Sequence, residues 1–192
     1  NSCFKKFGTP DIFINTSYPK SKDWKFSKSE NLKLGSLEEN IKIHLNSYLW
    51  LMNSTAIQMK KKKIKGSIIN LSSMYGIISQ DPQVYKKTNK SENIIYSAIK
   101  GGINTFSKQL AVIYGKYNIR VNTICPGGVI NEKDYKKLKV DKNFRKNYFQ
   151  KSPIKRFATT YDVACATIFL SSDASKYITG TNFTLDGGWT AL

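Results

Sequence analysis

Tyr96 and Lys100 stand four residues apart in a segment that reads as helix, which places a phenol and an ammonium on one face. A free tyrosine ionises near pH 10. A cation held within about 4–6 Å favours the phenolate and brings the group toward neutral pH as a usable acid or base. Most Tyr-x-x-x-Lys pairs on a lysine-rich helix are surface decoration. This one follows a short apolar run that ends in Ser72-Ser73, and the small residues Ala98, Gly101 and Gly102 allow close approach by a neighbour. Phenol and ammonium together form a pair that can give or take a proton near neutral pH. His44 is the only histidine, and a neutral imidazole both donates and accepts a hydrogen bond.

These groups need a frame. Asp11–Asn15, Gly66–Leu71, Ile119–Ile124 and Asn182–Leu185 read as short buried strands. Between them lie helices. One opens on the capping-box pattern Ser36-Leu37-Glu38-Glu39 and runs to about Lys62. A second, over residues 92–116, carries the apolar stripe Ile95, Ile99, Ile103, Phe106, Leu110 and Ile113. Residues 131–152 read as a charged helical flap, and Thr159–Asp162 cap a last helix to about Ser171. Strands alternating with helices predict an α/β fold with a parallel sheet, doubly wound. In such sheets ligands bind beyond the carboxyl ends of the strands. Asn15-Thr16-Ser17, Ser72-Ser73, Cys125-Pro126-Gly127-Gly128 and Asp186-Gly187-Gly188 all fall there.

Composition narrows the function classes. The 192 residues carry a net charge of +18 from 31 basic and 13 acidic side chains. Only Arg120, Arg145 and Arg156 are arginine, the usual reader of bases and phosphates, so no nucleic-acid partner is expected. The excess lysine suits attraction of an anionic cofactor or substrate. No apolar run approaches the ~20 residues of a membrane span, so no membrane partner is expected. Cys3, Cys125 and Cys165 fit neither a disulfide framework nor a zinc site; no metal is expected, and a reducing cytoplasm is the default.

Taken in order, Gly66-Ser-Ile-Ile-Asn-Leu-Ser-Ser-Met-Tyr-Gly76, Tyr96–Gly102, Arg120-Val-Asn-Thr-Ile-Cys-Pro-Gly127, Ile178-Thr-Gly180 and Asp186-Gly-Gly188 resemble the short-chain dehydrogenase/reductase family over nearly the whole chain. The resemblance implies a Rossmann-type fold and hydride transfer between NAD or NADP and a carbonyl or secondary alcohol. It implies that Tyr96 is the catalytic acid/base. Lys100 would tune Tyr96 and bond the nicotinamide ribose. Ser73 would polarise the carbonyl, with Ser72 as the alternative. Asn15, Pro126, Gly127 and Val129 match cofactor-side positions, although Thr16, Ser17 and Tyr18 depart from the family's turn and Asn131 replaces its usual threonine. His44 falls where the family has a proton-relay asparagine, with Asn46 the alternative, and a titration near pH 6.5 would follow.

The resemblance also implies that residues 1–9 end a helix and that residues 1–192 are one domain. That domain would be the C-terminal three-quarters of the fold, lacking the first strands and the Gly-rich phosphate loop, and inactive alone. The residue that selects NAD or NADP would lie in the missing part. Between Ser73 and Tyr96 lie 22 residues, more than is usual for the family. The polar insertion Gln80–Asn89 resembles that of oxidoreductases in bacterial surface-sugar and flagellin-modification pathways, implying a sugar-like substrate. The alternatives are a general ketone or 3-oxoacyl reductase, favoured by an apolar pocket around Tyr18, Trp24 and Tyr85, and a non-enzymatic basic binding protein. The family further implies a homodimer or homotetramer built on the two long helices.

Overall fold

A computed structural model describes residues 2–131 and 140–191. Four parallel strands form the sheet in the order β1-β2-β3-β6: β1 is Ile12–Asn15, β2 Ser67–Leu71, β3 Arg120–Pro126 and β6 Asn182–Leu185. Register runs Ile12 to Ser67, Ser67 to Arg120 and Thr123 to Asn182 at the start of each pair. Every strand that carries chemistry thus ends on the same side. β2 and β3 are the central strands, and their continuous apolar or small residues are buried on both faces. The buried polar residues of β3 are structural. Asn122 bonds the carbonyl of Ile178 at 3.0 Å and the amide of Thr181 at 3.1 Å, tying down the approach to β6.

Helix α1, Ser2–Phe7, precedes β1 as the resemblance implied. Helix α2, Leu34–Asn40, continues through a π-helical turn at Ile41–Leu45 into α3, Asn46–Lys61. The predicted capping box does not form. The helix starts two residues earlier, and Ser36 is buried, where its carbonyl accepts from the Asn40 side-chain amide at 2.8 Å. Helix α4, Ile94–Tyr114, carries the expected stripe; Ile95, Ile99, Ile103 and Leu110 are buried against the sheet with Met52, Ala56 and Met59 of α3, while Ile113 turns outward. On the other face α6, Thr160–Ser171, packs Ala166 and Leu170 on Ile69 and Ile124. Its capping box between Thr159 and Asp162 forms as predicted.

Two short strands, β4 (Val129–Ile130) and β5 (Ala158–Thr159), pair beyond the sheet. Two-residue strands leave no periodicity to read. Of the charged flap, α5 is Lys142–Lys151, and residues 132–139 lie outside the described residues. β1 is one edge of the sheet and β6 the other among the described residues. Ile12 and Ile14 on β1 are each nearly half exposed, an apolar edge of the kind that proteins usually cover. No described helix is long and apolar enough to cross a membrane.

Candidate active site

The carboxyl ends of β1 and β2, the start of α4 and the π-turn before α3 converge on Lys100. β2 delivers the two serines, which face different ways. Ser72 Oγ donates to the Lys100 carbonyl at 3.2 Å and so fastens the loop to α4. Ser73 Oγ accepts the amide of Tyr75 at 3.1 Å and lies near enough to the Tyr96 phenol to favour its ionised form. Of the two candidates, Ser73 is the one beside the phenol.

Asn93 aims Tyr96. Its side-chain oxygen accepts the Tyr96 amide at 3.0 Å, capping α4. Its amide donates to the Trp24 carbonyl at 2.9 Å. An asparagine directly before an apolar helical run was the signal for this role. One turn on, the Lys100 ammonium donates to the Leu71 carbonyl, the last of β2, at 2.9 Å. Gly76 makes that packing possible, since a Cβ there would stand 2.7 Å from the backbone carbon of Lys100.

Electrostatics here differ from the sequence expectation. Burial pushes the Tyr96 phenol above its usual value, Ser73 opposes this, and Lys100 is not among the groups that move it. Lys100 itself is lowered to about 8 by burial, with no carboxylate paired to it among the described residues. The ammonium is directed at a carbonyl instead of the phenol, so the expected lowering of Tyr96 is not developed in this arrangement.

His44 is completely buried in the π-turn, its ring 5.3 Å from Tyr18 and 5.6 Å from Tyr48. Both ring nitrogens lack a protein partner. Burial, with a smaller push from the Lys100 charge, lowers it to about 4 instead of the expected 6.5. The rival Asn46 is exposed and lies by a surface hollow with Trp50 and Phe106, away from Lys100.

The cofactor-side positions also meet at the strand ends. Asn15 is buried at the end of β1; its oxygen accepts from Ser17, and its amide nitrogen has no partner. Pro126 ends β3 beside Leu185, and the Gly127 amide donates to the Leu185 carbonyl at 3.0 Å. A Cβ at Gly127 would lie 2.6 Å from the Tyr148 phenol oxygen, which accepts the Gly128 amide. Val129 is exposed in β4. An orphaned amide, a glycine turn with no room for a side chain and a buried ammonium suit the nicotinamide–ribose end of a dinucleotide. No Gly-rich phosphate turn precedes β1 among the described residues. A cleft of about 410 Å³ opens behind this turn, lined by Arg156, Tyr161, Cys165 and Gly187 among others, but neither Ser73, Tyr96 nor Lys100 lines it.

The insertion is spent on structure. Gln80 bonds Asn93 and Ser97 at the head of α4 and accepts from Tyr85, while Asp81 pairs with Lys151 of α5. It straps α5 to α4.

The family profile described as enoyl-(acyl carrier protein) reductase, a short-chain dehydrogenase type, matches residues 1–190. The chain belongs to the short-chain dehydrogenase/reductase family. Within that family it is 31% identical over 189 residues to the post-translational flagellin modification protein A of Campylobacter coli, covering 98% of this chain and 71% of that protein. It is 28% identical to glucose 1-dehydrogenase 2 of Bacillus subtilis (strain 168), covering 99% and 68%. The crystal structure of a short chain dehydrogenase from Leptospira borgpetersenii serovar Hardjo-bovis (strain JB197) with bound NAD+ superposes with a TM-score of 0.84 at 32% identity, covering 98% of this chain and 68% of that one. The chain thus spans 68–71% of the length of these relatives. Within the family, the fold and the order of motifs agree with the sequence reading.

Proposed function

We propose that this chain carries the reacting centre of an NAD(P)-dependent oxidoreductase that interconverts a carbonyl and a secondary alcohol on a sugar-like, polar substrate. The observation that carries this reading is the gathering of the buried Ser73 hydroxyl, the Tyr96 phenol and the buried Lys100 ammonium, which lies 5.6 Å from the Tyr96 ring centroid. Ser73 donates to the substrate carbonyl oxygen and fixes its direction. Burial holds the Tyr96 phenol protonated, the state a general acid needs in the reductive direction. When bound, the dinucleotide supplies or accepts the hydride. Lys100 and the free amide of Asn15 hold its ribose, and the backbone at Pro126, Gly127 and Val129 holds its carboxamide. His44, neutral at pH 7, passes protons between solvent and Lys100 through water held on its two unpartnered nitrogens. Asn46 takes no part.

The sugar-like substrate is supported by the similarity to a glucose dehydrogenase and a flagellin modification protein. A 3-oxoacyl-type reductase is the second reading, favoured by the profile's description and by the aromatic wall of Tyr18 and Trp24 beside Tyr96. Turnover by the complete gene product of D-glucose, L-rhamnose and 3-oxobutanoyl thioester, each with both dinucleotides, decides between them. Sugar turnover supports the first reading, and thioester-only turnover overturns it.

Three further parts belong to this proposal. The described residues offer no phosphate cradle, so the 192 residues alone, read as a single catalytic domain, hold no dinucleotide tightly and are inactive; micromolar binding by calorimetry would refute this. The exposed apolar residues Trp50, Leu51, Val112 and Ile113 of α3 and α4 meet a second copy. The protein works in a reducing cytoplasm, in carbohydrate metabolism.

A further inference from the structure

Burying a lysine without a carboxylate partner is costly unless something else compensates the charge. Lys100 is only 3% exposed, and its ammonium bonds one carbonyl, Leu71, at 2.9 Å. Around it stand three aromatic rings, with centroids 5.2 Å (Tyr48), 5.6 Å (Tyr96) and 5.8 Å (Tyr18) from Nζ. All lie within the ~6 Å at which a ring face attracts a cation. Of the three, only Tyr96 belongs to the Tyr-x-x-x-Lys pair.

Tyr48 does more than present a ring. Its hydroxyl donates to the Ser17 carbonyl at 2.8 Å, and it lies 3.4 Å from the Asn15 carbonyl and 3.3 Å from the Leu71 carbonyl. One phenol therefore spans the ends of β1 and β2, and it touches the same carbonyl that Lys100 uses. Burial raises Tyr48 to about 12, so the hydroxyl remains a donor throughout the working range. Tyr48 lies one helical turn beyond His44, on the same face of the helix.

We propose that Tyr48 is a positioning residue for Lys100: its ring forms one wall of an aromatic cage that stabilises the ammonium, and its hydroxyl fixes the strand ends that seat it. This rests on the reading of Lys100 as part of the reacting centre. The groups that face the ammonium are His44 and Tyr48 from the helix side, Tyr18 from the loop after β1, Tyr96 from its own helix and Cys125 from β3. None is a carboxylate. The competing view makes Tyr48 an ordinary core residue with a satisfied hydroxyl, whose loss lowers the melting temperature and leaves Lys100 unmoved.

The two views separate in the titration of Lys100, followed by NMR on the complete gene product with ¹³Cε-labelled lysine and assigned with Lys100→Arg. Tyr48→Phe keeps the ring and should leave the midpoint within a few tenths of a unit. Tyr48→Leu removes the ring and should lower it by roughly one unit, a tenfold change in the ammonium-to-amine ratio. Tyr18→Leu, at a half-exposed position, should lower it by less. An unchanged midpoint in Tyr48→Leu, with only a lower melting temperature, overturns the proposal. If that variant does not fold, pentafluorophenylalanine at position 48 keeps the shape and reverses the ring's quadrupole; an unmoved midpoint there overturns it equally. No turnover enters this measurement. A failure of the catalytic reading would appear separately, as an active Lys100→Ala enzyme.

Discussion

Acid should destabilise this protein through His44 in a way that can be isolated. The imidazole is fully buried, has no hydrogen-bond partner on either nitrogen and shares its enclosure with the Lys100 ammonium. Its folded value is about 4, against about 6.5 when unfolded. The unfolded chain therefore binds more protons between those limits, and stability falls as pH drops through them. The contribution is fully present above pH 6.5 and is gone below about 4. A difference of that size corresponds to at most ~3 kcal/mol. His44→Asn removes the titration, so the urea-unfolding stability of wild type minus that of the variant should decline by ~2–3 kcal/mol from pH 7 to pH 4. The carboxylates titrate in both proteins and cancel. Because the chain has one histidine, its ring signals in an NMR titration are assigned without ambiguity. They should stay in the neutral form until pH approaches 4. A midpoint near 6.5, or parallel stability curves for the two proteins, would refute the enclosure described for His44. In the complete enzyme the acid limb of the rate profile should lie near pH 4 for the same reason.

Gly76→Ala forces a Cβ against the Lys100 backbone and should cost ~1–3 kcal/mol in chemical unfolding while also lowering turnover, because Ser73 begins the same turn; an unchanged melting curve would show that the turn yields freely. Asp162→Asn weakens the pair with Arg156 and the reciprocal cap at Thr159, and should cost ~1–2 kcal/mol at pH 7 by urea unfolding. Asp162 sits well below the usual carboxylate range because of those bonds, so the difference between the two proteins should hold above pH 4 and fade only in stronger acid. Trp50→Glu with Val112→Glu should convert a dimeric complete protein to monomer in light scattering; a wild type already monomeric at micromolar concentration contradicts the helix-pair interface.

Much of the fold was legible because central parallel strands announce themselves. Ile68-Ile69, and Val121 with Ile124, give the central strands their apolar positions, and turn residues bound them. That Ser73, Tyr96 and Lys100 come close together was legible because spacing on a strand end and a helix is nearly deterministic. Three things were not. The start of α2 was misread because Ser36 is used inside the helix, bonding Asn40, instead of capping it. The bonds that the insertion makes within its own chain were not legible, because polarity alone does not say which neighbour a side chain faces; Gln80 and Asp81 face α4 and α5. The directions of the Tyr96 and His44 shifts were missed because spacing places charges but says nothing about burial, and burial is the larger influence on both.

The central claim is that Tyr96 delivers the proton in an NAD(P)-dependent carbonyl reduction. Tyr96→Phe removes that proton and leaves the ring packed against Tyr18 and Trp24. The deciding measurement is kcat of the complete gene product and of this variant on the best-turned-over compound of the panel, with dinucleotide affinity measured in parallel. The account predicts a fall of about 10²–10⁴-fold in kcat with dinucleotide affinity nearly unchanged. A variant that keeps more than roughly a tenth of the wild-type rate would contradict it.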